Sequence, residues 1–241
     1  MLFVIVFIIS ISIIIYLILR NNARYETFKN ELDLDKKLPN VYYINLAQRI
    51  DRNKQLLEEL KKINYPKGKI IRVDAIFDKL GSTGCGLSHI KALELGLKTK
   101  HDVDYIMVLE DDFSWKYDKK LVRNVLSQIM YNNNWNVILL ACNGNTSEYN
   151  TYLDKVEDCQ TASGYIIKIK YIPKLLKIWK RDMEYRKNHD IVEGSDLEQN
   201  TCIDQSWKRL QNENWFITKP ILGKQRASYS DIQKGFVDYN I

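Results

Sequence analysis

The sequence predicts an α/β domain: a mostly parallel sheet with helices on both faces. Three observations carry this expectation. First, short runs rich in β-formers alternate with amphipathic helical patterns from residue 41 onward, which is how a covered parallel sheet reads. Second, Tyr105-Ile106-Met107-Val108-Leu109 is an unbroken apolar run that stops at Glu110-Asp111-Asp112. A buried strand whose carboxyl end opens into a site has this form, because ligands of open α/β sheets sit at that end. Third, a chain of 241 residues, 45% hydrophobic and 27% charged, can bury a full core in one or two domains.

The formal charge is +6, with Lys and Arg scattered and mixed with acids throughout. No basic tract with interleaved aromatics occurs, so nucleic acid is not expected as a partner, while an anionic small substrate would suit the surface. Cysteines stand at 85, 142, 159 and 202 without a Cys-x-x-Cys pair, and zinc is set aside on that count. They read as mostly buried thiols, with one or two disulfides left open.

Residues 2–19 carry no charge and few polar groups. As a helix they would span ~27 Å, close to the ~30 Å hydrocarbon core of a bilayer. A basic start and a small-residue cleavage site are both missing, so residues 1–20 read as an uncleaved transmembrane anchor rather than a signal peptide. Arg20, Arg24 and Lys29 follow it, which by the positive-inside rule favours a cytosolic domain. Type II enzymes of the secretory pathway face the other way, and the orientation stays open. Residues 21–40 are polar, end near Pro39 and suit a stem, leaving 41–241 as the main folded domain.

Within that domain, residues 41–46 read as the first strand. Arg49, Asp51 and Arg52 follow, then a helix with Leu56, Leu57, Leu60 and Ile63 at helical spacing. Residues 69–73 make a second strand. Gly81, Gly84 and Gly86 loosen the backbone ahead of a helix striped by Ile90, Leu93 and Leu97. A helix over 121–130 and a strand over 135–141 come next. In the second half, residues 162–165 enter a strand over 166–169, and Pro173 opens a helix. Residues 187–199 read as a polar loop and 203–210 as a short helix with Asp204 in its first turn, where the helix dipole favours a carboxylate. Late strands are expected at 215–217 and 221–222.

The acids after Leu109 carry the first chemical argument. Strand alternation would place Glu110 and Asp112 on one face and Asp111 on the other. Two carboxylates ~5 Å apart repel by ~3 kcal/mol at an effective dielectric of ~20. A hard cation such as Mg²⁺ or Mn²⁺, shared with a diphosphate, would compensate them. A solvated acidic turn is the alternative at this point.

Several strings together resemble one family. They are Tyr43-Ile44-Asn45-Leu46 followed by Arg49-Ile50-Asp51-Arg52, then Gly84-Cys85-Gly86-Leu87-Ser88-His89, Val108-Leu109-Glu110-Asp111-Asp112, Ala162-Ser163-Gly164-Tyr165, Ile203-Asp204 and Ser230-Asp231-Ile232. In this order they resemble glycosyltransferase family 25, the lipooligosaccharide and procollagen galactosyltransferase group, over residues 41–233. The resemblance implies a GT-A-type, Rossmann-like fold, a nucleotide-diphosphate sugar donor (usually UDP-galactose), Mn²⁺ or Mg²⁺, and inversion during transfer to a glycan or hydroxylated protein. On that basis Glu110 and Asp112 would hold the metal and Asp111 would reach the ribose. Arg49 and Arg52 would contact phosphate or uracil through their forked donors. Asn45, Ser88, His89, Ser163, Gln225, Ser230 and Asp231 would complete the nucleotide-sugar site. Asp204 would be the base, with Asp158, Glu193 and Asp196 as alternates.

Several of these residues also have a plain structural reading. The arginines pair with Asp51 at a helix start, Ser88 caps a helix, His89 and Cys85 fill the core, and Asp204 caps its helix. The chain departs from many GT-A enzymes in having no histidine after His189. Gln225, Ser230, Asp231 or water would have to complete the metal shell. Two other readings compete. Nucleotidyl transfer would call for a Gly- and Lys-rich loop after the first strand, and none is seen. Donor or glycan binding without turnover is the second.

Overall fold

A computed structural model describes residues 15–20, 22, 33–131, 134–230 and 235–237. The chain divides into two compact units, residues 1–38 and 39–241. In the first, residues 15–20 and 33–37 are helical, and Ile15, Tyr16, Leu17, Ile18 and Leu19 are exposed. Residues 1–14 of the expected anchor and residues 23–32 of the expected stem lie outside the described residues. Among the described residues no helix is long and apolar enough to cross a membrane.

The second unit is a mixed α/β domain. In chain order it runs β1 (Val41–Asn45), α1 (Ile50–Lys62), β2 (Ile70–Asp74), α2 (Gly81–Lys98), β3 (Tyr105–Glu110), β4 (Phe113–Trp115), α3 (Lys119–Tyr131) and β5 (Val137–Leu139). It continues through β6 (Asn143–Glu148), β7 (Leu153–Gln160), β8 (Gly164–Lys168), α4 (Ile172–Lys187), α5 (Asp196–Thr201) and α6 (Ile203–Ser206) to β9 (Trp215–Thr218), β10 (Gly223–Gln225), β11 (Ser228–Ser230) and β12 (Gly235–Val237). Eight strands form one sheet in the order β2-β1-β3-β8-β5-β9-β7-β6. Six of them run one way, and β7 and β8 run against them, so the sheet is mostly parallel as expected.

Burial explains the central strands. Tyr42, Ile44, Ile106 and Val108 share a core with Ile90 and Leu93 of α2 and Leu175 and Trp179 of α4. Val41, Tyr43, Met107 and Leu109, which alternate with them, are buried too, as are Leu56 and Leu60 of α1 and Val122 and Leu126 of α3. A strand covered on both faces needs no polar alternation, which accounts for the continuous apolar runs.

The edge behaves differently. β6 reads Asn-Gly-Asn-Thr-Ser-Glu and is exposed along its whole length, so no hydrophobic period marks it in the sequence. Among the described residues it pairs only with β7, with a register shift between Asn145 and Thr146. A short, polar, irregular edge resists pairing with other chains. Gly144 sits there at φ +149°, where an added Cβ would collide with the Asp158 carbonyl oxygen. A disulfide between Cys142 and Cys159 ties the start of β6 to β7, leaving Cys85 and Cys202 as free thiols.

Several boundaries correct the sequence expectation. Helix α2 begins at Gly81, so Gly81, Gly84 and Gly86 lie inside it rather than ahead of it. The last of them serves close packing: a Cβ on Gly86 would come within 2.7 Å of Met183 Sδ. Part of the expected loop 187–199 is helix α5, begun by the Ser195 side chain accepting from the Glu198 N–H. Residues 221–222 are not a strand; β10 starts at Gly223 and pairs with β4.

Three indoles lock the second half in place. Trp179 Nε1 donates to the Ile203 carbonyl at 3.0 Å, Trp207 Nε1 to the Cys159 carbonyl at 3.0 Å, and Trp215 Nε1 to Tyr171 Oη at 3.1 Å. All three rings are fully buried; Trp179 and Trp207 tie α6 and the turn after it to α4 and the end of β7, and Trp215 ties β9 to the turn before α4.

Candidate active site

The parallel pairing of β1 with β3 sets Ile44 beside Glu110, so the carboxyl ends of both strands open into one cleft. Its volume is about 820 Å³ including the space at the mouth, and Asn45, Arg52, Ser88, His89, Glu110, Asp111, Asp112 and Gln225 all line it. β3 ends at Glu110, and Asp111 and Asp112 form the turn into β4. Strand alternation therefore stops before it reaches Asp112, and the expected pairing of Glu110 with Asp112 on one face gives way to a different grouping.

Asp111 and Asp112 are joined by Arg52, which reaches up from the first turn of α1. Its Nη1 lies 3.0 Å from Asp111 Oδ1 and 3.2 Å from Asp112 Oδ2. Asn45 Nδ2 donates to Asp111 Oδ2 at 2.7 Å, and Gln225 Nε2 to Asp112 Oδ2 at 3.2 Å. The Arg226 N–H holds the Asp112 carbonyl at 2.7 Å. Asp112 Oδ1 is buried with no hydrogen-bond partner. Burial, then the Glu110 charge, push the Asp112 carboxyl up to about 7 in spite of Arg52. Asp111 is raised as well, by burial, with Arg52 and Asn45 pulling the other way. A buried carboxylate with one oxygen unsatisfied is undercompensated, and a divalent cation with oxygen ligands is what it fits.

Glu110 turns toward α2. Its Oε1 lies 3.0 Å from His89 Nε2 and 3.6 Å from Cys85 Sγ. Burial works against this carboxylate, but hydrogen bonding and attraction from His89 outweigh it and bring the pKa below the ordinary value. His89 Nδ1 lies 3.1 Å from Tyr165 Oη. Ser88 Oγ donates to the Gly84 carbonyl at 2.6 Å and accepts the Ile76 N–H at 2.8 Å, clasping the loop after β2 to the helix. Because α2 begins at Gly81, Ser88 and His89 lie two turns inside it, and their backbone N–H groups are not at a helix start as expected.

Other expected residues stand apart. Arg49 is turned to Asp51, with both contacts at 3.2 Å, and does not line the cleft. Ser163 Oγ is buried without a partner beside the carbonyl that accepts the Glu110 N–H at 2.8 Å. Asp204 Oδ2 accepts the Thr161 N–H at 3.1 Å, outside the cleft lining. Thr161 takes φ +88°, an uncommon region for a β-branched residue, and the Asp204 contact helps hold it there. Burial raises the Asp204 carboxyl, opposed by the Thr161 N–H and reinforced by the Glu110 charge. Asp158 pairs with Lys208 at 2.6 Å on the surface, and Glu193 and Asp196 are exposed. The backbone of Ser230 ends β11, and Asp231 lies outside the described residues.

Sequence reasoning missed the part played by Cys85, and it missed Ile76, Phe77 and Asp78, which line the cleft from the loop after β2. The four-residue spacing of Cys85 and His89 on one helical face was the available signal for the first.

No family model matches the chain, and no curated protein does. Solved structures do match, at low similarity. "A197 from STIV" is 11% identical with a TM-score of 0.42, covering 73% of this chain and 80% of its own. A glycosyltransferase involved in glycosylation of the major capsid of PBCV-1 is 12% identical with a TM-score of 0.38, covering 74% and 92%. The mannose-1-phosphate geranyltransferase from Thermus thermophilus is 10% identical with a TM-score of 0.39, covering 74% and 72%. Likeness at this level says nothing of activity.

Proposed function

We propose that residues 41–241 form a GT-A-type glycosyltransferase that moves a hexose from a nucleotide-diphosphate sugar to a hydroxyl of a glycan or hydroxylated protein. The motif resemblance to family 25 favours UDP-galactose as donor and inversion as outcome. The observation that carries the reading is Asp112 Oδ1, buried and unpartnered in a cleft at the carboxyl ends of β1 and β3. Asp112 would be the principal ligand of Mn²⁺ or Mg²⁺, and that ion would neutralise charge on the departing diphosphate. Glu110 takes second place, since His89 and Cys85 already occupy one of its oxygens. Asp111, steadied by Asn45, would accept from the ribose hydroxyls, and Arg52 would follow the donor phosphates. Asp204 remains the proposed base for the acceptor hydroxyl. Residues 1–20 are proposed to anchor the chain in a membrane.

A second reading, nucleotide-sugar binding without turnover, is favoured by one observation: Asp204 does not line the cleft. Incubating the chain with a panel of nucleotide sugars and Mn²⁺, with and without glycan acceptors, separates the two. Metal-dependent release of nucleoside diphosphate supports transfer. Tight donor binding with no release under any condition supports the second reading.

A further inference from the structure

We propose that Cys85, His89 and Glu110 form a three-ligand site for a zinc-class divalent cation, distinct from the Asp112 carboxylate proposed to serve the diphosphate. Cys85 and His89 stand one turn apart on α2, and Glu110 meets them from the end of β3. The Cys85 sulfur, a His89 ring nitrogen and a Glu110 oxygen all lie within 4.8 Å of one another. Tetrahedral zinc with bonds of ~2.0–2.3 Å sets its ligand atoms ~3.3–3.8 Å apart. Of the separations on Glu110 Oε1, 3.6 Å to Cys85 Sγ falls inside that range and 3.0 Å to His89 Nε2 lies just below it, so small side-chain rotations suffice.

The donor set selects the ion. A thiolate and an imidazole prefer zinc, whereas Mg²⁺ and Mn²⁺ prefer oxygen. Thiolate and carboxylate together cancel the charge of a dication, which a buried site requires. Tyr165 Oη, 3.1 Å from His89 Nδ1, supplies the outer partner that orients a ligating imidazole. Binding moves the imidazole proton to Nδ1, where Tyr165 Oη accepts it, and releases the Cys85 thiol proton to solvent. No electron changes hands. Three protein ligands would leave one coordination position open, and all three residues line the cleft.

The test uses the purified full chain, stripped of metal and titrated with Co²⁺, with no sugar donor present. One cobalt per chain should give thiolate-to-cobalt charge-transfer absorption and tetrahedral d–d bands, both abolished by one equivalent of Zn²⁺. Cys85→Ser should remove the charge-transfer band and weaken binding at least ~100-fold, beyond the ~10–100-fold typical of outer partners. His89→Gln should weaken it comparably and serves as the second variant should Cys85→Ser misfold, as judged by circular dichroism. Cys202→Ser, which removes the other free thiol, and Asp112→Asn should both keep the band. The proposal is overturned if the intact chain gives no charge-transfer band, because the three groups then only hydrogen-bond to one another. It is equally overturned if the band survives Cys85→Ser or vanishes with Cys202→Ser. Cobalt binding here, combined with no diphosphate release in the nucleotide-sugar panel, would sink the transferase reading and leave this site standing.

Discussion

Arg52 Nη1 stands 3.2 Å from Asp112 Oδ2, while the other oxygen of Asp112 is buried with no partner. One guanidinium is thus divided between two carboxylates and fully satisfies neither. The first two predictions follow from this imbalance.

Asp112 has its folded-state pKa raised to about 7, against ~3.9 for an unperturbed aspartate. The native state therefore holds a proton between those values that the unfolded chain has lost. Stability of the metal-free chain should fall as pH rises from ~4 through ~7. Mn²⁺ should reverse this above pH 7 and do little at pH 5, which melting temperatures with Mn²⁺ and with chelator would measure. Asp112→Asn should flatten the pH dependence, keep the fold and lower metal-dependent transfer at least ~10²-fold. A variant with wild-type turnover in Mn²⁺ would remove Asp112 from the metal site.

Arg52→Ala strips the shared cation from two buried carboxylates. Breaking such a pair from one side costs ~3–5 kcal/mol. Urea denaturation in chelator should show a loss of that order, and adding Asp112→Asn should recover part of it. An equal loss in both backgrounds would show that Arg52 acts through packing alone.

The N-cap of α6 is Cys202 and not Asp204 as expected, so Asp204→Asn keeps size and the ability to accept from the Thr161 N–H while losing proton acceptance. If Asp204 is the base, transfer should drop ~10²–10⁴-fold with donor affinity nearly unchanged. If its task is to hold the strained Thr161 N–H, turnover should hold and stability should change by ~1 kcal/mol or less. Turnover and calorimetric donor binding on this single variant decide between the two.

Reducing the Cys142–Cys159 bridge, or replacing both cysteines by serine, frees a hairpin whose outer strand is wholly exposed. A loop of this length is stabilised by ~3 kcal/mol through its bridge. Equilibrium unfolding with and without reductant should show a difference of that size, and hydrogen exchange should rise first in residues 143–160. Protection unchanged on reduction would mean that β7 alone holds the edge.

Local pattern in the sequence was enough to place the central strands, the helix after β1 and the acids at the end of β3. Strands buried on both faces and a helix with a Leu56–Leu60 stripe carry their burial in their own periodicity. The motif resemblance marked Asn45, Arg52, Ser88, His89, Gln225 and the three acids, which line one cleft, and equally Arg49, Ser163 and Asp204, which do not. What the tertiary structure alone decided depends on partners distant in the chain. The reversed direction of β8 leaves no trace in an apolar run, since parallel and antiparallel neighbours bury the same side chains. The hairpin β6–β7 went unseen because a solvated edge strand needs no hydrophobic period. The Cys142–Cys159 pairing required the two strands of that hairpin to be adjacent first. The regrouping of the acids came from a turn that ends the strand at Glu110, handing Asp111 and Asp112 to Arg52 and leaving Glu110 to His89 and Cys85. Charge and spacing along a chain say which groups need a partner; only packing says which partner arrives.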